Sequence, residues 1–166
     1  TASGSGSYTV VVDSAQKYQY RALRAGTEVE LGAFQFTASV SEDLNLKQIA
    51  LALGNVASSA PADFVDQKVT IHKADGTKIA EASFGLGSGA DNATSTTFTS
   101  PLVIKKGETE TVIVKAVLVG HDANTNPDST PGNGGYGAFV AVNYDGDNNG
   151  LNGNYATGVS SGATIS

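Results

Sequence analysis

The stretch KVTIHKADGTKIAEASF, residues 68–84, decides the fold class. Val69 and Ile71 stand two residues apart with polar neighbours between them, the period of a half-buried strand. Ala74-Asp75-Gly76-Thr77 then interrupts the pattern, and Ile79 restarts it. Asp-Gly between two alternating runs marks a β-hairpin with a two-residue turn.

The same period extends outward from this hairpin. VELGAFQFTASV (29–40) alternates with a change of parity near Gly32, which predicts a bulge or bend. LNLKQIALAL (44–53) changes parity once more, from Leu44 and Leu46 to Ile49, Leu51 and Leu53. It reads as one long strand, with a helix as the rival because Ala and Leu favour helices. A helical turn is expected after Pro61. TTFTSPLVIKKGETETVIVKAVLV (96–119) reads as a second strand pair around KKGE, with Val112, Val114, Ala116 and Leu118 on one face. YTVVVD (8–13) and YGAFVAVNY (136–144) are further strands, and YATGVSSGATIS (155–166) ends in a short last one. The expectation is an all-β fold: an antiparallel immunoglobulin-like β-sandwich of about eight strands with long polar loops. TASGSGS (1–7) reads as a flexible leader, followed by a single domain over 8–166.

Composition agrees with strands joined by polar turns. The 166 residues are enough for one domain with its own core. With no Cys, disulfides and thiolate metal sites are excluded. With Thr1 first and no Met anywhere, the chain reads as a processed form or a fragment, consistent with loss of a signal peptide. No apolar run is long enough to span a membrane as a helix. The net charge of −6 argues against nucleic acid as a partner.

Charge is unevenly distributed. All ten Lys and Arg lie between Lys17 and Lys115, and residues 116–166 keep only Asp122, Asp128, Asp145 and Asp147 as charged side chains. Within YDGDNNGLNG (144–153), Asp145, Asp147 and Asn149 alternate and Gly150 follows. This matches the first half of a calcium loop, where alternate oxygen-bearing side chains on a tight curve converge on one hard cation. The distal Glu of an EF-hand is replaced by Ala156, so such a site needs ligands from elsewhere. Asp122, Asn124, Asn126 and Asp128 alternate in the same way and suggest a second calcium loop. Asn, Asp and Gly are also the ordinary turn residues, so a plain polar turn stands beside the calcium reading in both places.

Nothing in the sequence carries catalysis: no nucleophile elbow, zinc-protease helix or phosphate loop occurs. His72 and His121 read as structural. Glu42 and Asp43 are adjacent and point to opposite faces of an extended chain, so they do not form a carboxylate pair. Glu108 and Glu110 read as a solvated edge shared with Lys105 or Lys106. Tyr18, Tyr20, Tyr136, Tyr144 and Tyr155 read as half-buried sheet residues rather than a sugar platform. Asn92-Ala93-Thr94 is an N-glycosylation acceptor triplet.

RAGTEVELGAFQFTASVSEDLNLKQIALALGN (24–55), VTIHKADGTKIAEASF with SPLVIKKGETETVIVKAVL, and the closing YATGVSSGATIS resemble the repeated immunoglobulin-like domains of large bacterial cell-surface and S-layer-like proteins. The resemblance implies a structural role outside the cell, often in tandem. The Asp/Asn/Gly region over 120–155 departs from a plain spacer and suggests a metal-stabilised or assembly-competent form. The expected function is therefore a non-catalytic extracellular structural protein. It would be a subunit or domain of a surface layer or filament that self-associates, with calcium in its loops. Strand donation by Tyr8, Val10, Val11 and Val12 to a neighbour's open edge is one route to assembly; pairing of this segment within its own sheet is the competing reading and would remove that route. The alternative function is a carbohydrate- or surface-binding adhesion module.

Overall fold

Val112, Val114, Ala116 and Leu118 form the buried stripe expected of residues 109–118, and the strand that carries them runs through the middle of the largest sheet. The computed structural model describes residues 6–12, 26–53, 61–85, 91–119 and 141–166. Its strands are β1 (Tyr8–Val12), β2 (Glu28–Ala38), β3 (Leu44–Gln48), β4 (Ala50–Leu53), β5 (Lys68–Lys73), β6 (Lys78–Ser83), β7 (Asn92–Thr94), β8 (Leu102–Ile104), β9 (Thr109–Val117), β10 (Val142–Tyr144), β11 (Tyr155–Gly158) and β12 (Thr164–Ile165). One sheet has the order β1-β2-β9-β5-β6, a second β10-β4-β7, and a third β12-β11-β3-β8. All strand pairings in these sheets are antiparallel. Two short 3-10 turns, Pro61–Asp63 and Val65–Gln67, supply the helical turn expected after Pro61.

The fold is thus all-β and antiparallel, as the periodicity indicates, but with twelve strands in three sheets among the described residues where about eight were expected. One reason lies at Ile49. LNLKQIALAL breaks there into β3 and β4, which join different sheets. The Ile49 N–H donates to Ser95 Oγ at 3.1 Å and its carbonyl accepts from the Ser95 N–H at 2.9 Å, so its backbone is satisfied outside either ladder. The parity change in the sequence is this transfer between sheets. The earlier one, near Gly32, is a register shift between Glu30 and Gly32 in the β2–β9 ladder.

KKGE does not close a hairpin. β8 pairs with β3 and β9 pairs with β2 and β5, so the segment crosses from one sheet to another. Gly107, at φ +74, makes that crossing possible, and its N–H donates to the carbonyls of Ala38 and Ser39 at 3.0 and 3.2 Å. The β5–β6 hairpin is present, but its loop has three residues rather than two. Lys73 N–H donates to Thr77 O, Gly76 N–H donates to Lys73 O, and only Gly76 has positive φ. A two-residue Asp-Gly turn of the favoured type needs positive φ at both central residues. Asp75 instead accepts the Thr77 N–H at 2.8 Å, which closes the loop from outside.

The inward faces of the three sheets meet in one hydrophobic cluster. Phe34 and Phe36 of β2, Leu44 and Leu46 of β3, Leu51 of β4, Val69 and Ile71 of β5, Ile79 of β6 and Ile104 of β8 are all buried in it. Tyr8 and Tyr144 close one side: Phe36 packs edge-on to Tyr144, with ring centroids 5.6 Å apart, and lies 6.1 Å from Tyr8.

β1 pairs with β2 of its own chain along its whole length, from Tyr8↔Ala38 to Val12↔Phe34, without a register shift. Residues 6 and 7, assigned to the leader on composition, are fastened as well. Gly6 is buried, and the Ser7 carbonyl accepts the Ser39 N–H at 2.8 Å.

Candidate functional site

The loop after β10 begins at Asp145, whose N–H donates to Ala50 O at 3.0 Å and so continues the β10–β4 edge. Gly146 and Asp147 form the tip. The Asn149 side-chain amide then turns inward and donates to Gly146 O at 2.8 Å. Gly150, at φ +110, donates its N–H to Asn154 O, and Gly153 donates to Gly150 O. A side chain at Gly153 would run into the Asn148 carbonyl, so the loop's second half closes only with glycine there.

Asn154 organises this loop. It is 0% exposed. Its Oδ1 accepts the Ala50 N–H at 2.6 Å, and its Nδ2 donates to Asp145 O. Its backbone N–H donates to Asn148 O at 2.7 Å. Thr94 of β7 adds an outer tie, donating its hydroxyl to Asn152 O at 2.9 Å. One buried amide therefore locks the two ends of the loop to β4.

This arrangement brings Asp145, Asp147 and Asn149 into one turn, but it also spends much of what a cation would use. The carbonyls of Asp145, Gly146, Asn148 and Gly150 each accept a hydrogen bond within the loop. Asn149 uses its amide as plain turns do. Two carboxylates and one amide fall short of the six to eight oxygens that calcium takes. Among the described residues, no three His, Cys, Asp or Glu side chains gather into a metal-binding group. A calcium ion here would need further oxygens from water or from other segments. The second candidate set, Asp122, Asn124, Asn126 and Asp128, lies outside the described residues, as do His121, Tyr18, Tyr20 and Tyr136.

The other singled-out residues fall into structural roles. His72 is buried, with Nδ1 on Gly76 O at 3.0 Å and Nε2 on Thr70 Oγ1 at 2.8 Å, and so ties the hairpin loop to its strand. Tyr144 lies against the core and Tyr155 is half-buried. Burial pushes the Tyr8 and Tyr144 phenols above their ordinary value of 10.0. The Tyr8 hydroxyl is enclosed beside the Tyr144 phenol. Lys105 pairs with Asp43 at 3.3 Å, not with the glutamates beyond the turn. Asn92 is exposed at the start of β7. Val10 lies partly buried against the core, while Val11 and Val12 are 55% and 53% exposed.

The strongest polar centre is one that sequence reasoning set aside. Glu42, in the turn between β2 and β3, is 6% exposed. Its Oε1 accepts the Gly6 N–H at 3.1 Å and the Ser161 hydroxyl at 2.8 Å; its Oε2 accepts the N–H groups of Ser160 and Ser161 at 3.1 and 3.0 Å. The Ser161 donors, with those of Gly6 and Ser160, hold the carboxyl below its ordinary value of 4.5. Gly158 is placed so close that a side chain there would strike both Ser161 and Glu42. Asp43 points the other way, to the Lys106 N–H at 2.9 Å and the Lys105 ammonium, and is lowered mainly by the first. The adjacent acids diverge, as extended geometry requires. Neither spacing nor composition marks Glu42 as buried; only the meeting of three distant segments does.

No protein-family model matches the chain, and no curated protein gives a significant match.

Proposed function

We propose that this chain is a non-catalytic extracellular structural protein, a subunit or one domain of a surface layer or filament, built as an immunoglobulin-like sandwich. The observation that carries this reading is how the buried polar groups are used. Glu42 accepts four hydrogen bonds from segments 36 to 119 residues away, and the Asn154 side chain ties β4 to a loop 104 residues downstream. Such groups hold loops in fixed positions, which is what a building block needs of its surface. The sequence resemblance to bacterial surface-layer repeats supports the same role.

Calcium belongs to this proposal as a loop staple. Asp145, Asp147 and Asn149 share one turn in a region without a single cation, and the ion would reinforce a loop already closed by Asn154. Strand donation is not carried forward, because Tyr8–Val12 is paired in register with its own β2. Of the tyrosines the adhesion reading would use, Tyr144 packs edge-on to Phe36 and Tyr155 is half-buried, so neither supports it.

The test is thermal unfolding with light scattering, in about 10 mM calcium and then in excess chelator. Extracellular calcium sites have Kd on the order of 10⁻⁴ to 10⁻³ M, so a real site would add about 1.4–2.7 kcal/mol. That raises Tm by roughly 3–10 °C for a chain of this size. If Tm and scattering both rise, calcium gates assembly; if Tm rises alone, calcium only staples the loop. If neither changes, the calcium reading falls. A chain that forms no ordered assembly in the electron microscope under either condition would count against the structural role.

A further inference from the structure

We propose that the edge of β1 facing away from β2, which is open among the described residues, is a self-complementary contact, at which two copies of this chain pair their β1 strands antiparallel about a twofold axis through Val10. The inference rests on the self-assembling role proposed above and names the surface that would serve it. The ladder decides which groups are available. Ser39 N–H donates to Ser7 O, so residue pair 7/39 is hydrogen-bonded across β1–β2. Antiparallel ladders alternate, so pairs 9/37 and 11/35 are bonded in turn, and the backbone groups of Tyr8, Val10 and Val12 point away from β2. The partners of these three agree: Ala38 N–H donates to Glu108 O, on the β9 side.

Among the described residues β1 has one strand neighbour, β2. The opposite edge of the same sheet is covered. Beyond β6, Ala82 bridges to Ser95, Thr96 N–H donates to Glu81 O at 2.8 Å, and Thr99 N–H donates to Ile79 O at 2.8 Å. Natural edges are blunted by lysine, proline or a bulge. β1 reads YTVVV and runs in unbroken register, so it carries none of these.

The occupant follows from symmetry. Pairing about Val10 sets Val10 against Val10 and Tyr8 against Val12 of the second copy. Each outward-facing residue then meets another outward-facing residue, and about six hydrogen bonds form across the axis. Val11 falls opposite Thr9, so the exposed Val11 gains a cross-strand neighbour on each side of the axis. No residue of the strand is charged, so the net charge of −6 is not concentrated at the contact. A five-residue edge buries little area, and the association depends on concentration.

The test uses sedimentation of the whole chain over a wide concentration range, with three variants. Val10→Pro removes an outward N–H and no bond to β2; Val11→Lys puts a cation on the exposed face; Val103→Lys does the same at the β8 edge. The expected result is an average mass that rises toward a dimer for the parent chain and for Val103→Lys. Val10→Pro stays monomeric, and Val11→Lys weakens association by about tenfold or more. If Val10→Pro fails to fold by circular dichroism, Val11→Lys decides. Association unchanged by either β1 variant overturns the edge contact and leaves self-assembly standing. A parent chain that stays monomeric at every concentration overturns both, and would mean that nothing, or another segment of the same chain, occupies the edge.

Discussion

Replacing Asn154 with alanine should cost this protein about 2–4 kcal/mol, the sum of one buried and one half-buried backbone group losing their partners. The Ala50 N–H is the more expensive one, because Ala50 is fully buried and loses its 2.6 Å bond to Asn154 Oδ1. The Asp145 carbonyl, bonded to Asn154 Nδ2, sits on a half-buried residue and can recover part of its loss from solvent. For a chain of this size the loss corresponds to a fall in Tm of roughly 4–16 °C. Urea denaturation followed by circular dichroism measures it directly, with Asn149→Ala as the comparison. Asn149 is exposed and holds only Gly146 O, so its removal should cost about 0.5 kcal/mol or less. Asn154→Asp separates the two bonds. It keeps an acceptor for Ala50 but sets a carboxylate against the Asp145 carbonyl, so it should destabilise near neutral pH and recover in part when protonated. A loss for Asn154→Ala below about 1 kcal/mol would refute the reasoning, since it would mean that Ala50 finds another partner.

Two further outcomes follow from the core and from Glu42. Phe36→Ala, at a fully buried ring packed between Tyr8 and Tyr144, should cost about 3–5 kcal/mol in the same denaturation experiment, and a value under about 2 would mean that the two tyrosines collapse into the space. The Glu42 carboxyl is lowered in the folded chain, so its contribution is complete above the ordinary value of 4.5 and is lost as pH falls through the lower folded value. Glu42→Gln should therefore lower Tm at neutral pH and make the fall in Tm on acidification shallower; an acid limb identical to the parent's would contradict the clamp. Part of the slope remains in the variant, because Asp43, Asp75 and Glu81 are lowered too.

Period two made most of the architecture legible. It marked the β5–β6 hairpin, the buried stripe of β9 and the bulge near Gly32, because alternation is a local consequence of one buried face. It could not show which sheet a strand joins. A strand entering a second sheet and a strand continuing past a bulge leave the same parity change, so Leu44–Leu53 read as one element and KKGE as a hairpin. The site was legible only as composition. Asp145, Asp147 and Asn149 stood out because turn residues and cation ligands are the same residue types. Asn154, which holds their loop together, looked like one more turn asparagine. Glu42 was weighed beside Asp43 and correctly judged not to converge with it. Its actual partners, Gly6 and Ser160–Ser161, lie too far along the chain for any local pattern to announce.

The position of β9 between β2 and β5 also sets the order in which this fold can be made. The β5–β6 hairpin closes on its own and β1 can meet β2 as soon as residue 38 exists, but the two ribbons are not joined to each other until residues 109–117 arrive. Two-stranded ribbons are marginal in water, and non-local pairing is the slow step of β folding. A chain still growing from the N-terminus therefore holds the β1–β2 and β5–β6 ribbons unjoined until β9 pairs with both. The large sheet closes only with β9, and a truncation between Ser83 and Thr109 leaves its two ribbons without the strand that joins them.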